Sequence, residues 1–111
     1  MIDPKMGKEY GYAMDQQIGS KTGRWLRRRD AWMRALVGNE FVSRNGKLVG
    51  IHLALRLSAK KPYTYPAMKT IGKALGISPR HVARALKELE DEEWLRVRRQ
   101  PGRSSVYSLD L

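Results

Sequence analysis

Apolar residues recur every three or four positions along most of the chain and every second position near its C-terminus, and that change of period lays out the predicted elements. Trp25, Trp32 and Leu36 fall on one stripe when residues are wrapped at about 100° each, with Leu26, Met33 and Val37 beside them, which predicts a helix over 25–37. Arg29 lies inside that stripe. Either its stem runs along the apolar face with the guanidinium in water, or the helix begins later with Asp30 as its cap. Residues 38–46 read as a connection and 47–59 as a second helix, in which Leu48, Val49, Ile51, Leu53, Leu55 and Leu57 leave little polar face. A helix apolar nearly all round is expected to be central, and 60–62 to end it. Tyr63, Thr64 and Tyr65 make a short extended lead-in before Pro66 opens a third helix, 66–75. Met68, Ile71 and Leu75 form its buried face, with Gly72 and Ala74 small enough for a close helix crossing.

Leu75, Gly76, Ile77 and Ser78 then stop one helix and start the next. Gly76 suits the left-handed residue past a helix end, Ser78 suits an N-cap, and Pro79 falls at the first helical position, where a missing N–H costs nothing. The fourth helix, 79–92, places Val82, Ala85, Leu86 and Leu89 on one stripe and Arg80, His81, Arg84 and Lys87 off it. Beyond it Leu95 and Val97 alternate with Arg96 and Arg98, and Tyr107 and Leu109 with Val106 and Ser108, as in two half-buried strands. Pro101 and Gly102 supply the turn of a hairpin with a basic tip. Residues 1–22, with Gly7, Gly11 and Gly19 among scattered polar residues, are expected to form a flexible arm whose Tyr10, Tyr12 and Met14 can order against a partner.

A length of 111 residues fits one compact domain and is too short for a core plus a separate catalytic domain. The division expected is an arm (1–22), a helix and connection used for packing or dimerisation (23–46) and a main domain (47–111). The net charge of +11, from 22 Lys and Arg against 11 Asp and Glu, attracts polyanions, nucleic acid first and an anionic membrane surface second. There is no cysteine for a disulfide or a thiolate metal site, no signal-like N-terminus, and no apolar run near the about 20 residues of a membrane span. The expectation is a cytoplasmic, nucleoid-associated protein. The charge is uneven: the arm holds Lys5 and Lys8 against Asp3, Glu9 and Asp15, while Glu88, Glu90, Asp91, Glu92 and Glu93 crowd together at the end of the fourth helix. That acidic run reads as a solvated face turned away from a polyanion.

Helix, helix, turn, helix and basic hairpin, in that order, resemble the winged helix-turn-helix domains of bacterial transcription regulators and of plasmid and phage replication initiators. The resemblance covers 47–109 and is carried by TIGKALGIS, VARALKELE and WLRVRRQPGRSSVYSL, which correspond to positioning helix, recognition helix and wing. It implies a mainly α fold with a small β-hairpin wing and, here, an extra N-terminal helix. Two departures stand out: Ala67 replaces the Ser or Thr that often follows the opening proline, and Glu93 and Trp94 stand where a glycine often ends the recognition helix. Carried over by position, the resemblance puts Arg80, His81 and Arg84 toward base edges, and Ser78, Lys87, Lys69, Thr70 and Lys73 toward phosphates. Arg98, Arg99 and Arg103 would follow the backbone or reach the minor groove from the wing.

Other chemistry finds little support in the residues. His81 suits a base contact, a phosphate contact or a tolerated place near a helix start, and His52, beside Leu48 and Leu55, reads as a boundary histidine hydrogen-bonded locally. Two distant histidines and no cysteine leave no metal-ligand spacing, so neither metal nor cofactor is expected. Ser104 and Ser105 have no His and Asp placed to activate them, no glycine-rich phosphate loop follows a strand, and no enzyme is expected. The helix at 25–37 can pack on its own core, pair with a second copy through Trp25, Trp32, Met33 and Leu36, or lie on a membrane, with Arg27, Arg28 and Arg34 free to extend a phosphate-binding surface. The function expected is sequence-selective binding of double-stranded DNA as a homodimer, in transcriptional regulation or as an accessory factor in replication or recombination of a mobile element. The alternative is an adaptor that docks a protein through Trp25, Trp32 and the arm.

Overall fold

Four helices and a three-stranded antiparallel sheet succeed one another as α1 (Lys21–Gly38), α2 (Arg44–Arg56), β1 (Tyr63–Thr64), α3 (Met68–Leu75), α4 (Pro79–Asp91), β2 (Leu95–Gln100) and β3 (Arg103–Leu109). They belong to a computed structural model that describes residues 21–111, and the arm expected over 1–22 lies almost wholly outside the described residues. The fold is mainly α with a small β-hairpin, as the periodicity requires.

α1 begins before the predicted start, so Asp30 is inside the helix and not its cap. Arg29 takes the other course: its guanidinium pairs with Asp30 at 3.1 Å and lies 5.8 Å from the Trp25 ring centroid, with its stem along the apolar face. Trp32 and Leu36, 6% and 0% exposed, are core residues, and Trp25 and Met33 pack half-buried against the same core. The Trp32 indole N–H donates to the Trp94 carbonyl at 3.0 Å, and the two rings meet edge to face at 5.9 Å. Of the three uses open to this helix, core packing is the one these side chains serve. Trp32 and Leu36 are thereby withdrawn as surfaces for a second copy.

α2 starts three residues earlier than predicted because Ser43 caps it, its hydroxyl accepting from the Gly46 N–H at 3.0 Å. It ends at Arg56, before the residues expected to stop it: Leu57 turns extended and sinks into the core. Val49, Gly50, Leu53 and Ala54 are buried, but Leu48 and Leu55 are 40% and 60% exposed. The helix expected to be central is therefore covered on one side only, because no described element crosses its outer side.

α3 opens at Met68, two residues after Pro66, and Ala67 at its N-cap makes no side-chain hydrogen bond, as an alanine must. Ile71 is buried and Met68 and Leu75 pack partly buried, while Ala74 is exposed and takes no part in a crossing. Gly72 does. A Cβ built there would lie 2.5 Å from the Ile77 carbonyl oxygen, so the turn folds back directly onto this residue. The Ile77 N–H returns to the Gly72 carbonyl at 3.0 Å, and Gly76 takes φ 73°. Gly72→Ala is expected to lower stability by about 1–3 kcal/mol despite its better helix propensity, because a backbone oxygen cannot yield as a side chain can. Gly38→Ala, where a Cβ meets nothing within 4 Å, serves as the comparison in urea unfolding; equal midpoints for the two variants would refute the crowding.

α4 carries its Ser78 cap and Pro79 as predicted and buries Val82, Ala85, Leu86 and Leu89. Past its end Glu93 takes φ 63°, the left-handed turn for which a glycine is better suited, and the Trp94 N–H closes on the Leu89 carbonyl at 2.8 Å. In the sheet β3 is central. Leu95 pairs with Leu109 and Val97 with Tyr107 on one side, and Tyr63 pairs with Ser108 on the other. Buried Leu95 and Leu109 anchor the base of the hairpin, Gly102 turns its tip at φ 68°, and the register slips between Arg98 and Gln100. The segment before α3 thus becomes a strand by pairing with β3, where the sequence pattern predicts only an extended lead-in. Among the described residues no helix is long and apolar enough to cross a membrane.

Candidate nucleic-acid interface

Burial of one stripe of α4 dictates what the other must present. With Val82, Ala85, Leu86 and Leu89 against the core, Arg80, Arg84 and Lys87 line up at i, i+4 and i+7 on the exposed face, with His81 beside them. On α3, Lys69, Thr70 and Lys73 are exposed, and on the hairpin Arg98, Arg99 and Arg103 are exposed. Arg27, Arg28 and Arg34 are exposed on α1.

Local carboxylates divide this set. Lys87 donates to Asp91 at 2.8 Å, four residues on, and that hydrogen bond holds its ammonium above the usual lysine range. Arg99 forms a two-pronged pair with Glu90 at 2.7 and 2.8 Å, which holds the Glu90 carboxyl below its usual range and raises the guanidinium. Arg80, Arg84, Lys69, Lys73, Arg98 and Arg103 enter no ion pair among the described residues. These six cations are free to meet an external anion. Lys87 and Arg99 would first have to give up a partner.

Ser78 and His81 form a small unit at the start of α4. The Ser78 hydroxyl accepts from the His81 backbone N–H at 3.2 Å and lies 2.9 Å from the His81 Nδ1. The oxygen carries one proton and a second lone pair, so it can donate to Nδ1 or accept from it, according to the ring's tautomer. His81 is exposed beside the cap, and Ser78 is engaged as that cap.

The acidic run is more than a solvated face. Glu88 accepts from the Ser43 N–H at 2.9 Å and from its hydroxyl at 2.6 Å, tying α4 to the start of α2. Glu90 clamps the hairpin through Arg99, and Asp91 takes Lys87. The Lys87–Asp91 pair has the i, i+4 spacing that sequence alone can show. Glu88 to Ser43 and Glu90 to Arg99 carry no such signal, because each needs a distant segment to fold back. Arg96 pairs with Asp110 at 2.8 Å in the same way.

His52 is half-buried, its Nε2 is buried without a hydrogen-bond partner, and burial, then Arg56, pushes its pKa down. The local hydrogen bond expected of it is absent at that nitrogen. Comparison of the chain with protein-family models, curated proteins and solved structures returned no match.

Proposed function

We propose that the chain is a winged helix-turn-helix protein that binds double-stranded DNA with sequence selectivity, α4 entering the major groove and the β2–β3 hairpin serving as wing. The observation that carries this reading is the set of six exposed cations on α3, α4 and the hairpin that no carboxylate neutralises. Unpaired cations on these elements can meet phosphates without giving up a carboxylate.

In this reading Arg80 and Arg84 read base edges, where an arginine can donate two parallel hydrogen bonds to a guanine. His81 adds a single polar contact. Lys69, Lys73 and Thr70 meet phosphates and set the register, and Arg98 and Arg103 follow the backbone or the minor groove. Arg99 holds the wing against α4 through Glu90 and so acts by position. Occupancy is the mechanism: the bound protein blocks polymerase or helps build a nucleoprotein complex, as a small transcriptional regulator or an accessory factor of a mobile element. A homodimer would place two half-sites about one helical turn apart.

Binding-site selection from random duplex DNA, repeated with two variants, tests the assignment. Arg84→Ala is expected to relax preference at one base position at a cost of about 1–3 kcal/mol. Lys73→Ala is expected to weaken all sequences alike. Equal losses on selected and random duplex for Arg84→Ala would remove it from the readout. The half-site spacing of the selected sequences reports the number of copies bound.

A further inference from the structure

α2 has the sequence of a helix covered on both sides and is covered on one. Its inner stripe, with Val49 and Leu53, is buried in the core. On the opposite side Leu48, Ile51, His52 and Leu55 recur at i, i+3, i+4 and i+7, the spacing of a helix-packing seam. The seam forms the floor of a groove of about 610 Å³ walled by Val37, Val42 and Leu75. From Leu48 to Leu55 it runs about 10 Å, two turns of a helix.

Charge decides what fits. α2 contains no Asp or Glu. Arg44 and Lys47 stand on the groove at the N-terminal end of α2, where the helix field is already positive, while Arg56 ends the helix outside the groove's lining. None of the three enters an ion pair among the described residues, and both oxygens of Glu88, the carboxylate that reaches Ser43 at that end, are engaged there. A second copy is a poor occupant: whether two α2 helices met parallel or antiparallel, cations would face cations with no acid between them. Duplex DNA is poorer still, since an apolar floor offers phosphates nothing.

We propose that this seam binds an acidic amphipathic helix of a partner protein, its apolar stripe on Leu48, Ile51 and Leu55 and its carboxylates on Arg44 and Lys47. The seam lies on the side of α2 away from α4, so the partner and DNA can be held together. The protein then brings a second protein to the site it occupies, an interaction that does not depend on which DNA is read.

The test uses the full chain and a fluorescein-labelled synthetic helix, with leucines at i, i+3, i+4 and i+7 flanked by glutamates, read by anisotropy. It is expected to bind at least about tenfold more tightly than a scrambled isomer or a version with lysine for glutamate. The double variant Leu48→Ser, Leu55→Ser is expected to lose about tenfold for the peptide while keeping its duplex affinity and its melting curve, since both side chains are exposed. Equal binding of the scrambled peptide, or no effect of the double variant, would overturn the proposal. So would a dimer in sedimentation that the double variant dissolves, which would assign the seam to a second copy. A gain of peptide affinity on Tyr10→Ser, Tyr12→Ser would assign it to the chain's own N-terminal segment and equally overturn the proposal. Duplex binding is measured separately in each variant, so failure of the DNA reading and failure of this one are told apart.

Discussion

Affinity for duplex DNA is expected to fall about a thousandfold or more between roughly 50 and 200 mM salt. Each phosphate neutralised by a cation releases condensed counterions, so the logarithm of the binding constant falls with the logarithm of salt at about 0.9 per contact. Arg80, Arg84, Lys69, Lys73, Arg98 and Arg103 are the contacts that α3, α4 and the hairpin offer without breaking an ion pair. Six contacts and a fourfold change in salt give about that thousandfold loss. Variants sharpen the expectation. Lys73→Ala should lower the slope by about one, whereas Lys87→Ala should barely change it, because Asp91 already satisfies that ammonium. A flat salt dependence would rule out phosphate binding and leave an apolar docking surface as the function of the chain.

Trp32→Ala is expected to cost about 3–5 kcal/mol, a large part of the roughly 5–15 kcal/mol that holds a small domain together. The indole is 6% exposed, meets Trp94 edge to face, and donates to the Trp94 carbonyl, which would keep only its bond from the Asp110 N–H after the substitution. Urea unfolding followed by far-ultraviolet circular dichroism checks this, at two protein concentrations. If Trp32 served a dimer, the wild-type midpoint would rise with concentration and the variant would lose that dependence. If it serves the core, the loss is the same at both concentrations. Trp25→Ala gives the internal comparison: that ring is half-buried under Arg29, and a smaller loss is expected.

The apolar stripe of α1 reads equally well as core or as interface; within the chain its Trp32 and Leu36 are enclosed by Trp94 and by α2 at Gly50. Conversely α2, whose pattern suggests a fully enclosed helix, keeps an open seam. A seam with Leu48 and Leu55 exposed and Ile51 half-buried between them costs solubility unless something covers it in use.

Local chemistry was readable before any fold was known. Ser78, Gly76, Pro79 and the Pro101–Gly102 turn act on backbone groups within a few residues, so their roles follow from position alone. The same holds for the buried stripe of α4 and for Lys87 with Asp91, because helix periodicity places near neighbours wherever the helix goes. Periodicity alone does not mark the starts of α2 and α3, because Ser43 lies outside the apolar pattern and Ala67 has no capping side chain. Tertiary structure alone decided which cations are free and which apolar residues are enclosed. Trp32 and Trp94 are 62 positions apart and Ser43 and Glu88 are 45 apart, and no periodicity links residues at such separations. The periods of the chain settle what each helix and strand can bury. Which face meets a neighbour, and which charge loses its freedom to a partner, is settled only when the segments pack, because burial and ion pairing depend on distances in space.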